Sequence, residues 1–133
     1  MKISIVIPNY NGRQLLEENL PLVIKRSEGA QIIVVDDGSI DESVVFLKSR
    51  YPHIKLIQQK ENKGFASTVN AGVAAATGDI VILLNTDVIP QADFLPPLIK
   101  HFKDSLVFAV GCLDKSIEGN KTVLRGRGVG VFK

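Results

Sequence analysis

The chain has no tryptophan, one methionine, one cysteine and two tyrosines among its 133 residues. A single cysteine forms no internal disulfide, so this is not a small disulfide-stapled scaffold, and a cytoplasmic location is expected. Cys112 lies in the apolar run from Leu106 to Leu113, where a buried, inert thiol is expected. Excess charge of either sign is also missing. Sixteen Lys and Arg stand against fourteen Asp and Glu, spread along the chain for a net +2, so no nucleic acid partner is expected. No apolar run reaches the roughly 18–20 residues a membrane helix needs. The N-terminal apolar stretch is too short for a signal peptide and alternates into a strand. No zinc-ligand spacing and no Ser–His–Asp or Cys–His order is visible, and His53 and His101 read as surface residues.

What is present is a repeated pattern. Ile80 to Asp87 reads IVILLNTD, an apolar run that ends in an amide and a carboxylate. ISIVIPNYNG from Ile3 ends in Pro8, Asn9, Tyr10 and Asn11, and IIVVDDGS from Ile32 ends in Asp36, Asp37 and Ser39. Apolar strands tipped with polar groups predict one ligand site along the carboxyl edge of a parallel sheet.

Helix-period stretches separate these runs, the signature of βαβ units, so an α/β fold with a mostly parallel sheet and helices on both faces is predicted. Strands are predicted at Ile3 to Ile7, Gln31 to Val35, Ile54 to Ile57, Ile80 to Leu84 and Leu106 to Leu113. The helix after the first strand runs to about Arg26, with Pro21 breaking it or starting a second one. Ser39 or Asp41 caps the next helix, which stops before Pro52. A helix from Phe65 to Ala76 presents a face of small alanines and closes on Gly78 as a left-handed cap. Another spans Gln91 to Phe102, with Pro96 and Pro97 at its start or at a break. EGN (Glu118 to Asn120) reads as a turn, and Lys121 to Phe132 as a Gly-rich extended segment. Residues 1–133 read as a single domain with no linker or repeat.

Each site element has a plain and a functional reading. Asp36 and Asp37 repel one another unless they accept hydrogen bonds or face a cation. Either one caps the next helix while the other is solvated, or the turn with Gly38 and Ser39 presents a carboxylate to a ligand donor. Asn85, Thr86 and Asp87 form an ordinary strand exit or offer hard oxygens to Mg2+ or Mn2+. Tyr10 covers the sheet edge or offers a flat face to a base. Asn62, Lys63 and Gly64 open a helix whose backbone N–H groups, with Lys63, can meet a phosphate or a base. The GRGVG run near the C-terminus has no helix after it and is not a dinucleotide-binding loop.

Taken in order, SIVIPNYNG, IIVVDDGSID, ENKGFASTVNAG and GDIVILLNTDV resemble the family 2 glycosyltransferases, which have the GT-A fold. The resemblance covers roughly the first 110 residues. It implies a nucleotide-diphosphate-sugar donor (UDP-, GDP- or dTDP-linked), a divalent metal, Mn2+ or Mg2+, and inverting transfer to a glycan, lipid or protein acceptor. By that resemblance Pro8, Tyr10, Asp36 and Asp37 hold the nucleoside, and Asn62, Lys63 and Gly64 lie near the nucleotide. The family's Asp-x-Asp motif falls on Asn85, Thr86 and Asp87, with Asp87 as metal ligand. Asn85 replaces the first Asp, and the lost charge weakens the expected metal affinity. The family's general base comes from beyond the metal motif. Asp114 and Glu118 are the only acids after Leu106, and neither matches it.

The chain therefore reads as the donor-binding half of a longer enzyme, cytoplasmic and, in full-length form, at the inner face of the membrane. Its cut sheet edges predict self-association, against which a monodisperse monomer in light scattering would count. Two other classes remain open at this point. One is a non-catalytic nucleotide-sugar-binding module. The other is a nucleotidyltransferase, although PNYNGR is a poor version of the Gly-rich basic loop that class carries.

Overall fold

The computed structural model describes residues 1–126, so the part of the Gly-rich ending from residue 127 on lies outside the described residues. The chain packs as two units, Met1–Ala92 and Asp93–Lys133.

The first unit alternates strand and helix throughout: β1 (Ile3–Asn9), α1 (Arg13–Arg26), β2 (Gln31–Asp36), α2 (Ser43–Arg50), β3 (Lys55–Gln58), α3 (Phe65–Ala75) and β4 (Ile80–Leu83). The strands form a parallel sheet in the order β3-β2-β1-β4. β1 and β2 are central and covered on both faces, which is why they are nearly unbroken apolar runs. Ile5, Val6, Ile33, Val34 and Val35 are all fully buried.

Side chains alternate between the faces. Val6, Ile33 and Val35 point to one face, where Ala71 and Ala75 of α3 pack against them with Ala76. The small side chains let the helix lie close. Ile5, Ile7 and Val34 point to the other face, whose remaining cover is α1 and α2 with buried Leu16, Leu20, Val23, Phe46 and Leu47. The strand order runs outward from β1 to β3, then reverses as α3 carries the chain back to β4 on the far side of β1. That reversal opens a crevice between the carboxyl ends of β1 and β4.

Two local expectations are corrected here. Pro21 does not break α1, which runs continuously through it. Its ring is on the exposed side, so the carbonyl it leaves without a donor, that of Glu17, faces water, while Leu20 and Val23 anchor the opposite side. Gly78 is not a left-handed cap. The helix ends through Ala76 in an extended conformation, φ −70° and ψ 142°. Gly78 is glycine because a Cβ there would sit 2.6 Å from the Ser4 backbone nitrogen. It lets the chain brush past β1 on its way into β4.

The second unit begins with α4 (Leu95–Ile99) and a 3-10 turn over Lys100–Lys103, followed by a hairpin of β5 (Asp114–Glu118) and β6 (Lys121–Arg125). The helix expected from Gln91 starts only at Leu95, because Pro96 and Pro97 lack donors and are tolerated only in a first turn. The strand expected over Leu106 to Leu113 is absent. The Gly119–Asn120 turn sets the hairpin register, and the ladder ends at the pair Asp114↔Arg125, leaving that run without a partner strand among the described residues. Leu106, Phe108 and Leu113 are consequently exposed, and so is Cys112, contrary to the buried thiol expected.

Candidate functional site

A cleft of about 380 Å3 opens at the crevice between β1 and β4. Pro8, Asn9 and Tyr10 come to it from the end of β1, and Asn85, Thr86 and Asp87 from the exit of β4. Asp37 enters from the end of β2, and Asn62, Gly64, Phe65 and Thr68 from the start of α3, with Leu15 of α1 completing the wall. Eight residues singled out in the sequence thus meet in one place: Pro8, Tyr10, Asp37, Asn62, Gly64, Asn85, Thr86 and Asp87.

The two adjacent carboxylates have different surroundings. Asp36 is the last residue of β2 and Asp37 the first beyond it, where the regular alternation of the strand ends. Asp36 is buried and outside the lining. Its Oδ1 accepts from Asn9 Nδ2 at 2.9 Å and its Oδ2 from the Ser39 backbone N–H at 3.0 Å. Asp37 does line the cleft, and its oxygens accept the backbone N–H groups of Lys63 (2.8 Å) and Gly64 (3.0 Å). The carboxylate thereby ties the start of α3 to the end of β2. Lys63 is held through its backbone and is not part of the lining.

The loops around the cleft are laced together. Asn11, with φ +51°, accepts at its Oδ1 from the Ile40 N–H at 2.9 Å, and its own N–H donates to Ser39 Oγ at 2.8 Å. Gly38, with φ +73°, lets the DDGS turn press on the loop before α3, where a Cβ would lie 2.6 Å from the Glu61 carbonyl carbon. Asp41 accepts from the Arg13 N–H at 3.0 Å and from both N–H and Oγ of Ser43 at the start of α2. Partial burial opposes its charge, but those hydrogen bonds and the Arg13 guanidinium outweigh it and hold the carboxyl below its ordinary value.

The β4 exit is tethered from α1. Asn19 is a polar residue in the apolar helical spacing of Leu16, Leu20 and Val23, and its Nδ2 donates to the Thr86 carbonyl at 2.8 Å. That break in the pattern was the available signal for this residue, which sequence reasoning missed. Thr68, also missed, sits one helical turn after Gly64 and donates its hydroxyl to the Gly64 carbonyl at 2.8 Å. Asn19→Ala is expected to cost about 1–2 kcal/mol of stability in denaturant unfolding, the value of a partly buried hydrogen bond whose acceptor loses its partner.

The residues present fit a divalent cation bound together with a phosphate. Among the described residues no cluster of three or more His, Cys, Asp or Glu side chains could cage a metal alone. Asp87 and Asn85, both exposed at the cleft, offer one carboxylate and one amide oxygen. Mg2+ and Mn2+ take few protein ligands when substrate phosphates supply the rest.

Comparison with known proteins decides the family. The Glycosyl transferase family 2 model matches residues 4–129. The chain belongs to that family. Dolichol-phosphate mannosyltransferase of Pyrococcus furiosus is 34% identical over 126 residues, covering 91% of this chain and 35% of that protein. Undecaprenyl-phosphate 4-deoxy-4-formamido-L-arabinose transferase of Photorhabdus laumondii is 36% identical over 111 residues, covering 74% of this chain and 33% of that protein. This family 2 chain therefore spans about a third of the length of the curated relatives it matches.

Among solved structures, a mannosyltransferase from Pyrobaculum calidifontis in complex with GDP-Man and Mn2+ superposes with TM-score 0.61 at 26% identity, over 68% of this chain and 29% of that one. S. aureus TarS 1-349 in complex with UDP-GlcNAc shares the fold, with TM-score 0.68 at 23% identity over 77% of this chain and 31% of that one. The α/β architecture with its parallel sheet is the GT-A fold of these neighbours.

Proposed function

We propose that this chain is the donor-binding portion, residues 1–133, of a glycosyltransferase that takes a sugar from a nucleotide-diphosphate-sugar and inverts it onto an acceptor oxygen. The observation that carries this reading is the convergence of Tyr10, Asp37, Asn62 and Asp87 on one cleft at the strand-order reversal. Pro8 and Tyr10 offer a flat apolar wall to the base. Asp37 lines the cleft while it holds the start of α3 through the Lys63 and Gly64 N–H groups. Asn85, Thr86 and Asp87 face the diphosphate.

In the transfer, the acceptor oxygen forms a bond to the anomeric carbon as the bond from that carbon to the diphosphate oxygen breaks. The electron pair leaves with the nucleoside diphosphate, and the acceptor proton passes to a base. Asp87 and Asn85 would hold a divalent cation, which when bound would neutralise charge on the departing diphosphate. No base is assigned within this chain. Asp114 accepts from Ser116 Oγ at 2.8 Å, and Glu118 is paired with Arg125.

The names of the relatives, dolichol-phosphate and undecaprenyl-phosphate transferases, support a lipid-phosphate acceptor, and so transfer at a membrane surface. Among the described residues no helix is long and apolar enough to cross that membrane. Calorimetric titration with UDP, GDP and dTDP, each with and without Mn2+, tests the donor reading. Metal-dependent binding that prefers one base is the expected result. Binding to none of the three would overturn it.

A further inference from the structure

The end of β1 carries a buried amide that the donor reading does not use. Asn9 is 2% exposed, and the sheet register sets it directly beside Asp36 on the neighbouring strand. Its Nδ2 donates to Asp36 Oδ1 at 2.9 Å and to Ser39 Oγ at 3.3 Å, while its backbone carbonyl accepts the Asp37 N–H at 2.8 Å. One residue therefore grips three positions of the DDGS turn. Asn9 Oδ1 has no hydrogen-bond partner and lies where a Cβ on Gly12 would approach to 2.4 Å. Keeping a buried acceptor unsatisfied is costly, so the amide orientation is dictated by what Nδ2 holds.

Asp36, also 2% exposed, has no salt-bridge partner among the described residues. Its buried charge rests on the Asn9 amide and the Ser39 N–H. The next residue, Asp37, holds the Lys63 and Gly64 N–H groups at the mouth of the cleft.

We infer that Asn9 is a positioning residue for the donor site: by pinning Asp36 it fixes Asp37, and through Asp37 the backbone of Lys63 and Gly64. This rests on the donor-binding reading only for its consequence in affinity. The chain of hydrogen bonds stands apart from it.

Asn9→Asp tests the inference, because it keeps the shape and replaces the gripping amide by a second carboxylate against Asp36. The paired substitution Asn9→Asp with Asp36→Asn puts carboxylate and amide back in contact with their places exchanged. Above neutral pH, Asn9→Asp is expected to lower the hydrogen-exchange protection of the Lys63 and Gly64 amides by at least about tenfold, the loss of one charge-assisted hydrogen bond. The amides of β1 and β2 should keep their protection, and nucleotide affinity should fall in parallel. The exchanged pair should restore the protection.

Unchanged protection at Lys63 and Gly64 in Asn9→Asp would overturn the inference, as would an exchanged pair that fails to restore it. If Asn9→Asp does not fold, the exchanged pair alone decides, since it must then recover both the fold and those two amides. A wild-type chain that binds no nucleotide would sink the donor reading while leaving the amide measurement decisive for Asn9.

Discussion

Asp87→Ala is expected to weaken nucleotide binding in the presence of Mn2+ by roughly tenfold to a hundredfold, while leaving metal-free binding and the unfolding midpoint nearly unchanged. The magnitude is that of losing a charged contact in a partly dry site. The fold should be indifferent, because Asp87 is exposed at the strand exit and the first unit is held by β1, β2 and the helices on their faces. The complementary change, Asn85→Asp, adds the carboxylate that the Asn-Thr-Asp motif lacks and should tighten Mn2+ binding, since affinity for hard cations follows ligand charge. Calorimetry with nucleotide and metal varied independently reads both. Equal Mn2+-dependent affinity in wild type and Asp87→Ala would remove the metal assignment.

Gly72→Val should strongly destabilise the first unit. Gly72 lies on the face of α3 that rests on the sheet, and a Cβ there would be 2.3 Å from Val6 Cγ1 and 3.0 Å from Val35 Cγ2. Both valines are fully buried in β1 and β2 and have nowhere to move. A valine gains a few tenths of a kcal/mol in helix propensity over glycine. Overpacking of this kind costs about 3 kcal/mol, so the clash wins. For a unit of this size the melting temperature should fall by on the order of 10–20 °C. Nucleotide binding should be lost with it, because α3 brings Phe65 and Thr68 to the cleft. A calorimetric melting curve unchanged from wild type would show that α3 can lift from the sheet without penalty.

The central strands were legible because burial on both faces demands an apolar run, and Ile3 to Ile7 and Gln31 to Val35 supply one. The same composition misled at Leu106 to Leu113, since composition reports the wish to be buried and not the presence of a partner strand. Pro21 was misread because a proline's effect depends on which side of the helix its orphaned carbonyl faces. Gly78 was assigned to conformation when its cause is contact, with Ser4, a neighbour 74 residues away in sequence. In the cleft, residue types at strand ends were enough to gather Tyr10, Asp37 and Asp87. They did not say which of Asp36 and Asp37 lines the cleft, because that depends on partners from elsewhere in the chain, Asn9 for Asp36 and the Lys63 and Gly64 N–H groups for Asp37. Asn9 was quoted within its motif but given no role, since its partner is visible only once Asn9 and Asp36 are side by side.

The strand order has a consequence for how this protein comes off the ribosome. β1 is made first and meets β2 soon after, but its other neighbour is β4, and the Lys2 N–H that meets the Asp79 carboxylate must wait for a residue 77 positions later. Until then one flank of the first strand is bare, and closing so long a loop is among the slowest steps available to a small domain. The cleft lies on that last seam. A nascent chain can therefore carry most of its hydrophobic interior in place before it owns a binding site, and ligand can reward only molecules that have finished folding.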